Sequence, residues 1–329
     1  METLFNSPEK YKKHDKIVDG YKTHFIEGGF DNNAHLLLVH GGSAALGAGL
    51  YRWWPTFLPL CKHFHTFAID ELGHGFTDPP RKEEDLGNVR VRAQHVIDFI
   101  DQENLGPLYL LGQSQGGWIV TFISITRPDL VRKLILVDSG STAGSLVKNE
   151  GEADSQKIQE IDGEKMEIGS WELPYFKKIF EPGTMMPKIG MLETRSGIRE
   201  YTEAFSSNHT MVTDEYIDYL EKTSKRWTKY YNERRGKNFW SKTNVAGQHD
   251  MYSFDGKHIR EQVHKIKAPT LFIAGKNSCK GIDPQFQLYK KMANAQMHVL
   301  NQANHFCWWD QWQDFNDLVI WFLGRTQNN

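Results

Sequence analysis

The sequence predicts an α/β protein: a doubly wound, mostly parallel sheet with an inserted helical cap. Three observations point there. Short apolar runs alternate with amphipathic helical stretches along much of the chain. The runs are continuously apolar, as in parallel strands covered on both faces. The rhythm then breaks once, in a long charged stretch rich in Met and aromatic residues.

Taken in order, Met1 to Asp31 is polar and lacks the apolar core of a signal peptide, so export is not expected. His35–Val39 is the first strand and runs into His40-Gly41-Gly42-Ser43. Phe64–Ile69 is the second, and the turn Asp70-Glu71-Leu72-Gly73-His74-Gly75-Phe76-Thr77 after it reads as structural. Val89, Ala93, Val96, Ile97 and Ile100 share one face of a helix. The strand Leu108–Leu111 follows and enters Gly112-Gln113-Ser114-Gln115-Gly116, behind which Trp118, Phe122 and Ile125 mark another helix. Lys133–Val137 is the next strand. From Ser139 to Gly247 the chain reads as helical, with no strand-like run, and Met166, Trp171, Tyr175, Phe176, Met185, Met186 and Met191 give it an adaptable apolar underside. Thr270–Ala274 and Gln296–Leu300 resume the strands, and Trp308, Trp312, Phe315, Val319 and Phe322 line one last helix. The expected division is a core of residues 1–138 and 248–329 with a cap, or lid, at 139–247.

At 329 residues the chain suits one such domain with an insertion. A formal charge of -2, with no Lys/Arg stripe, argues against a nucleic-acid partner. No run of about eighteen apolar residues implies a membrane span. The three cysteines (Cys61, Cys279, Cys307) are scattered and odd in number, which fits a reducing, cytoplasmic setting without disulfides or a zinc site. No metal or cofactor is expected, and the partner is a small molecule. A homo-oligomer is compatible with the sequence but not indicated by it.

A serine on a strand-to-helix elbow presents its hydroxyl at the top of a sheet, and flanking glycines permit the turn. Ser114 is therefore the candidate nucleophile. It needs a base, and His305, in the loop after the last strand, is placed for it. His35, His63 and His65 lie in or beside strands, and His249, His258 and His264 near the cap exit, so they fit less well. The oxyanion formed on attack needs two N–H donors; Gln115 and Gly42 are expected to supply them. Gly41, Trp118, Trp309 and Arg226 are expected to contact substrate.

At these residues the chain resembles the α/β-hydrolase superfamily over nearly its whole length. It is most similar to the hydrolases that cleave carbon–carbon bonds in ring-fission products of aromatic degradation. The stretches that carry the resemblance are His40-Gly41-Gly42, Trp53-Trp54, Asp70-x-Leu-Gly-x-Gly-x-Thr77, Gly112-x-Ser-x-Gly-Gly117 and His305 through Leu323. Two departures stand out. Ser278 occupies the position where the family has its aspartate, so the acid falls to Asp138, which ends a strand, or to Asp283, beyond a short insertion. Asp138 is favoured, because a rigid strand places a carboxylate more surely than an inserted loop. The family also binds its substrate's carboxylate with a cap arginine after a Thr-Asp-Glu start; here Thr213-Asp214-Glu215 is present but Leu220 stands near the arginine's place. Arg195, Arg199 and Arg226 are the substitutes, with surface charge as the plainer reading.

The resemblance implies a Ser-His-Asp hydrolase acting on a small, mostly apolar ester, lactone or vinylogous diketone, which an aromatic group would also suit. Two alternatives stay open: a cofactor-free oxygenase using a His–Asp pair, and a non-enzymatic ligand-binding relative.

Overall fold

The computed structural model describes residues 1–42, 47–82, 85, 88–139, 158–161, 164–167, 192, 194–235, 256–279 and 281–325. Eight strands form one sheet: β1 (Lys12–Val18), β2 (Tyr21–Gly28), β3 (His35–Val39), β4 (His65–Ile69), β5 (Leu108–Gln113), β6 (Val131–Val137), β9 (Thr270–Gly275) and β10 (Ala295–Leu300). Their order is β1-β2-β4-β3-β5-β6-β9-β10. β2 runs antiparallel to both β1 and β4, and the other pairings are parallel. A separate two-stranded antiparallel sheet pairs β7 (Ile158–Ile161) with β8 (Glu164–Glu167). The described helices are α1 (Phe57–Cys61), α2 (Val89–Gln102), α3 (Gln115–Thr126), α4 (Arg195–Glu203), α5 (Asp214–Arg235), α6 (Gly256–Gln262), α7 (Asp283–Lys291), α8 (Cys307–Asp310) and α9 (Trp312–Gly324).

Successive residues of each central strand divide between two apolar layers, as a two-residue side-chain period requires. Leu36, Leu38, Leu111, Ile135, Val137, Leu271 and Ile273 face a layer shared with α1, α5, α8 and α9. Leu37, Val39, Leu110, Leu134, Leu136 and Phe272 face the layer built on α2 and α3. Chain order reverses between β3 and β5, and their carboxyl ends open together at this switch point. The loops carrying Gly41 and Ser114 both leave from there.

Three expectations need correction. The polar N-terminus holds a strand hairpin, β1–β2, whose outer strand is mostly exposed and charged; edge strands tolerate, and profit from, such side chains. The stretch expected to be wholly helical contains β7 and β8; the Asp162-Gly163 pair between them in sequence is a hairpin signal that a search for helical periodicity passes over. The single C-terminal helix is two, broken at Gln311, whose backbone (φ -128, ψ 52) is not helical. Trp171, Tyr175, Phe176, Met185, Met186, Met191 and His249 lie outside the described residues. Among the described residues no helix is long and apolar enough to cross a membrane.

One buried histidine makes the fold sensitive to acid. His95 on α2 bonds Thr23 Oγ1 at 2.8 Å, and burial holds its imidazole at about 4 against an ordinary 6.5. As pH falls below 6.5 the unfolded chain takes up a proton that the native state refuses until about 4, so stability is lost across that window. His95→Gln removes this contribution. Denaturant melts at several pH values should show wild-type stability falling faster than the variant's, by up to about 1.4 kcal/mol per pH unit. Parallel slopes would contradict this.

Candidate active site

Ser114 sits between β5 and α3 with φ 51 and ψ -117, a conformation that non-glycine residues seldom adopt. Its backbone is held on both sides: the N–H donates to the Val137 carbonyl (3.0 Å), and its carbonyl accepts from the Gly117 N–H (3.0 Å) and the Ser139 hydroxyl (2.7 Å). Gly116 is required by close approach, because a Cβ there would run into the carbonyl oxygens of Val39 and His40. A Cβ on Gly41 would stand 2.6 Å from that of Ser114, so the β3 loop lies directly on the elbow.

Gly42 follows at φ 96, a left-handed conformation suited to glycine. Gln115 opens α3, so its N–H is among those a helix leaves without an intrahelical acceptor. The two residues expected to stabilise an oxyanion thus flank Ser114. Beneath them lies a buried polar group: Arg92 pairs with Glu71 and donates to Gln115 Oε1 at 3.0 Å. Burial is the largest influence here. It pushes the Glu71 carboxyl up to about 7 against the pull of Arg92, and holds His74 down at about 3.

His305 lies in the turn before α8, buried at 4% exposure. Its Nδ1 pairs with Asp138 Oδ2. Asp138 is fully buried at the end of β6 and also accepts from Ser278 Oγ (2.6 Å) and Gln285 Nε2 (3.1 Å). Ser278, where the family pattern has an acid, is therefore a donor to the carboxylate on the neighbouring strand. Asp283 is exposed at the start of α7. On its other side, His305 Nε2 faces the Gln113 amide nitrogen at 3.1 Å. The described hydrogen bonds of Ser114 itself are those of its backbone.

The histidine turn is tied to the neighbouring segment after α4. Asp310 accepts from Ser206 Oγ and from the N–H groups of Ser207, Asn208 and Asn304, and Phe306 N–H donates to the Phe205 carbonyl at 2.8 Å. The Phe205 ring lies 5.5 Å from that of His305.

Of the remaining expected residues, Trp309 is on this side of the sheet, its indole donating to the Arg52 carbonyl at 2.9 Å and its ring edge-on to Tyr216. Trp118 is placed elsewhere: it is fully buried in the layer on the opposite sheet face. Arg226 donates to the carbonyls of Gly75 and Thr77 and lies over Phe76, so it fastens α5 to that turn and does not reach the Ser114 group. Arg195 pairs with Asp214 and Asp218, and Arg199 with Asp214, at the surface. Sequence reasoning missed Gln113, Gln285, Asp310 and Arg52. Only Arg52 carried a signal, as a lone cation in the apolar run Leu50–Pro55.

The sheet order, the glycine-flanked elbow and the histidine turn after the last strand define the class. Residues 34–311 match the family model described as the alpha/beta hydrolase fold, and the chain belongs to that family. Curated relatives include a 2-hydroxy-6-oxo-6-(2'-aminophenyl)hexa-2,4-dienoic acid hydrolase of Metapseudomonas resinovorans, 23% identical over 93% of this chain and 89% of that protein. An (E)-2-((N-methylformamido)methylene)succinate hydrolase of Acinetobacter baylyi is 32% identical over 37% of this chain and 43% of its own length. Among solved structures, a meta-cleavage product hydrolase from Pseudomonas fluorescens superposes with a TM-score of 0.64 at 18% identity, covering 94% of this chain and 97% of that one.

Proposed function

We propose that the protein is a serine hydrolase acting on a small, mostly apolar ester, lactone or vinylogous diketone. The observation that carries this reading is the buried series of Ser114 on its elbow, His305 in the opposing turn and Asp138 on His305 Nδ1. The Ser114 hydroxyl attacks the carbonyl while His305 Nε2 takes its proton, and Asp138 holds the imidazole tautomer and stabilises the imidazolium. The N–H groups of Gly42 and Gln115 take the developing oxyanion. His305 then protonates the leaving group, and water repeats the sequence on the acyl-enzyme. Before attack, the Gln113 amide must rotate away from His305 Nε2, which substrate entering beside Ser114 would bring about. The relatives' names support carbon–carbon cleavage among these substrates.

The same His305–Asp138 pair supports a second reading, in which it deprotonates a substrate that reacts with O2 and Ser114 stays a spectator. Isotope tracing separates the two. Turnover in H2 18O should place 18O from water in the product acid, with no O2 consumed. Label arriving from 18O2 instead would reject the hydrolase.

A further inference from the structure

Arg52 is the unexplained charge beside this site. It is 5% exposed, its Nε has no hydrogen-bond partner, and among the described residues no carboxylate forms an ion pair with its guanidinium; the Glu71 carboxylate, which feels its charge, is already paired with Arg92. An arginine stays ionised at any working pH, so a buried one needs an anion. Its backbone is fixed by the site itself: the Arg52 carbonyl accepts both indole N–H groups of Trp308 and Trp309, three and four residues past His305. Its guanidinium lies over the Phe306 ring at 4.9 Å, and a Cβ on Gly42 would stand 3.0 Å from both Nη atoms. The cation is therefore bracketed by the oxyanion loop and the histidine turn. Tyr216 of α5 contributes a second buried polar group, its hydroxyl beside the Arg52 guanidinium.

We infer that Arg52, with the Tyr216 hydroxyl, is the receptor for a carboxylate on the substrate, so that the acid group is held by the core beside the oxyanion loop. Leu220, buried and apolar on α5, cannot do this, and the surface arginines Arg195 and Arg199 already have their own carboxylates. The guanidinium offers two parallel N–H donors to a carboxylate, with the phenol as a third. The inference rests on the hydrolase reading for what happens next, but binding of the acid does not require turnover.

The test uses full-length protein carrying Ser114→Ala and a ligand series: benzoate, phenylacetate, 3-phenylpropionate and 4-phenylbutyrate, each against its neutral amide. Calorimetry should find at least one acid bound about tenfold or more tighter than its amide. Arg52→Met should abolish that preference, Arg52→Lys should retain part of it, and Tyr216→Phe should weaken it by about two- to fivefold. If Arg52→Met fails to fold by circular dichroism, Arg52→Gln takes its place. Equal affinity for acid and amide, a preference that survives loss of the cation, or no binding by any member overturns the proposal. Fluorophosphonate labelling of Ser114 in wild-type protein reports the hydrolase reading separately: labelling without acid preference rejects only Arg52, and acid preference without labelling rejects only the nucleophile.

Discussion

Replacing Ser114 by alanine should lower hydrolytic turnover by about four to six orders of magnitude while leaving the melting temperature near that of wild type. On the proposed mechanism the loss is large because the variant has no acyl-enzyme route, and what remains would come from the oxyanion donors and from substrate positioning. His305→Ala should cost about as much. The double variant should be little worse than either single one, since nucleophile and base act as a unit. Steady-state and single-turnover assays of the three proteins test this, with O2 uptake followed in parallel. Independent, additive losses would mean that Ser114 and His305 serve different steps.

Asp138→Asn should lower turnover by about three to four orders of magnitude, and Asp283→Asn by less than about twofold. The contrast follows from what surrounds each group. Asp138 accepts simultaneously from His305 Nδ1, Ser278 Oγ and Gln285 Nε2. An asparagine there has one acceptor oxygen and an NH2 that would meet one of these donors, so either the imidazole tautomer or the buried network is lost. Asp283 is exposed on the first turn of α7, where its charge contributes a few tenths of a kcal/mol to the helix. Rates for the two variants, each with a thermal melt, decide between the two acids; a strong Asp283 effect with a mild Asp138 effect would reverse the assignment.

Much of this was legible in the sequence, for identifiable reasons. The parallel strands are buried on both faces, so Leu36–Val39 and Leu134–Val137 read as continuous apolar runs. The elbow announces itself because Gly112 and Gly116 are packed against backbone and tolerate no side chain. Asp138 could be preferred over Asp283 because it ends a strand, whereas the structure alone pairs it with Ser278. What escaped lacks a local signature. β1 is an exposed edge whose Lys-Lys-His-Asp-Lys run looks like loop. Asp310 satisfies four donors, three of them about a hundred residues upstream, and nothing near it in sequence foretells that. Arg52 carries meaning only once its neighbours among the described residues are known to leave it without an ion pair, Glu71 being taken by Arg92. Trp118 and Arg226 went the other way: each sits close in sequence to an informative motif, yet the fold turns one into the opposite layer and spends the other on the Gly75–Thr77 turn.

Whether Ser114 is an activated nucleophile is tested most directly by active-site labelling. Wild-type protein treated with a fluorophosphonate and digested for mass spectrometry should carry one adduct, on the peptide containing Ser114. Labelling should fall by at least about a hundredfold in His305→Ala, because the base is then missing. An unlabelled Ser114 in folded protein, or labelling that is indifferent to His305, would contradict the account.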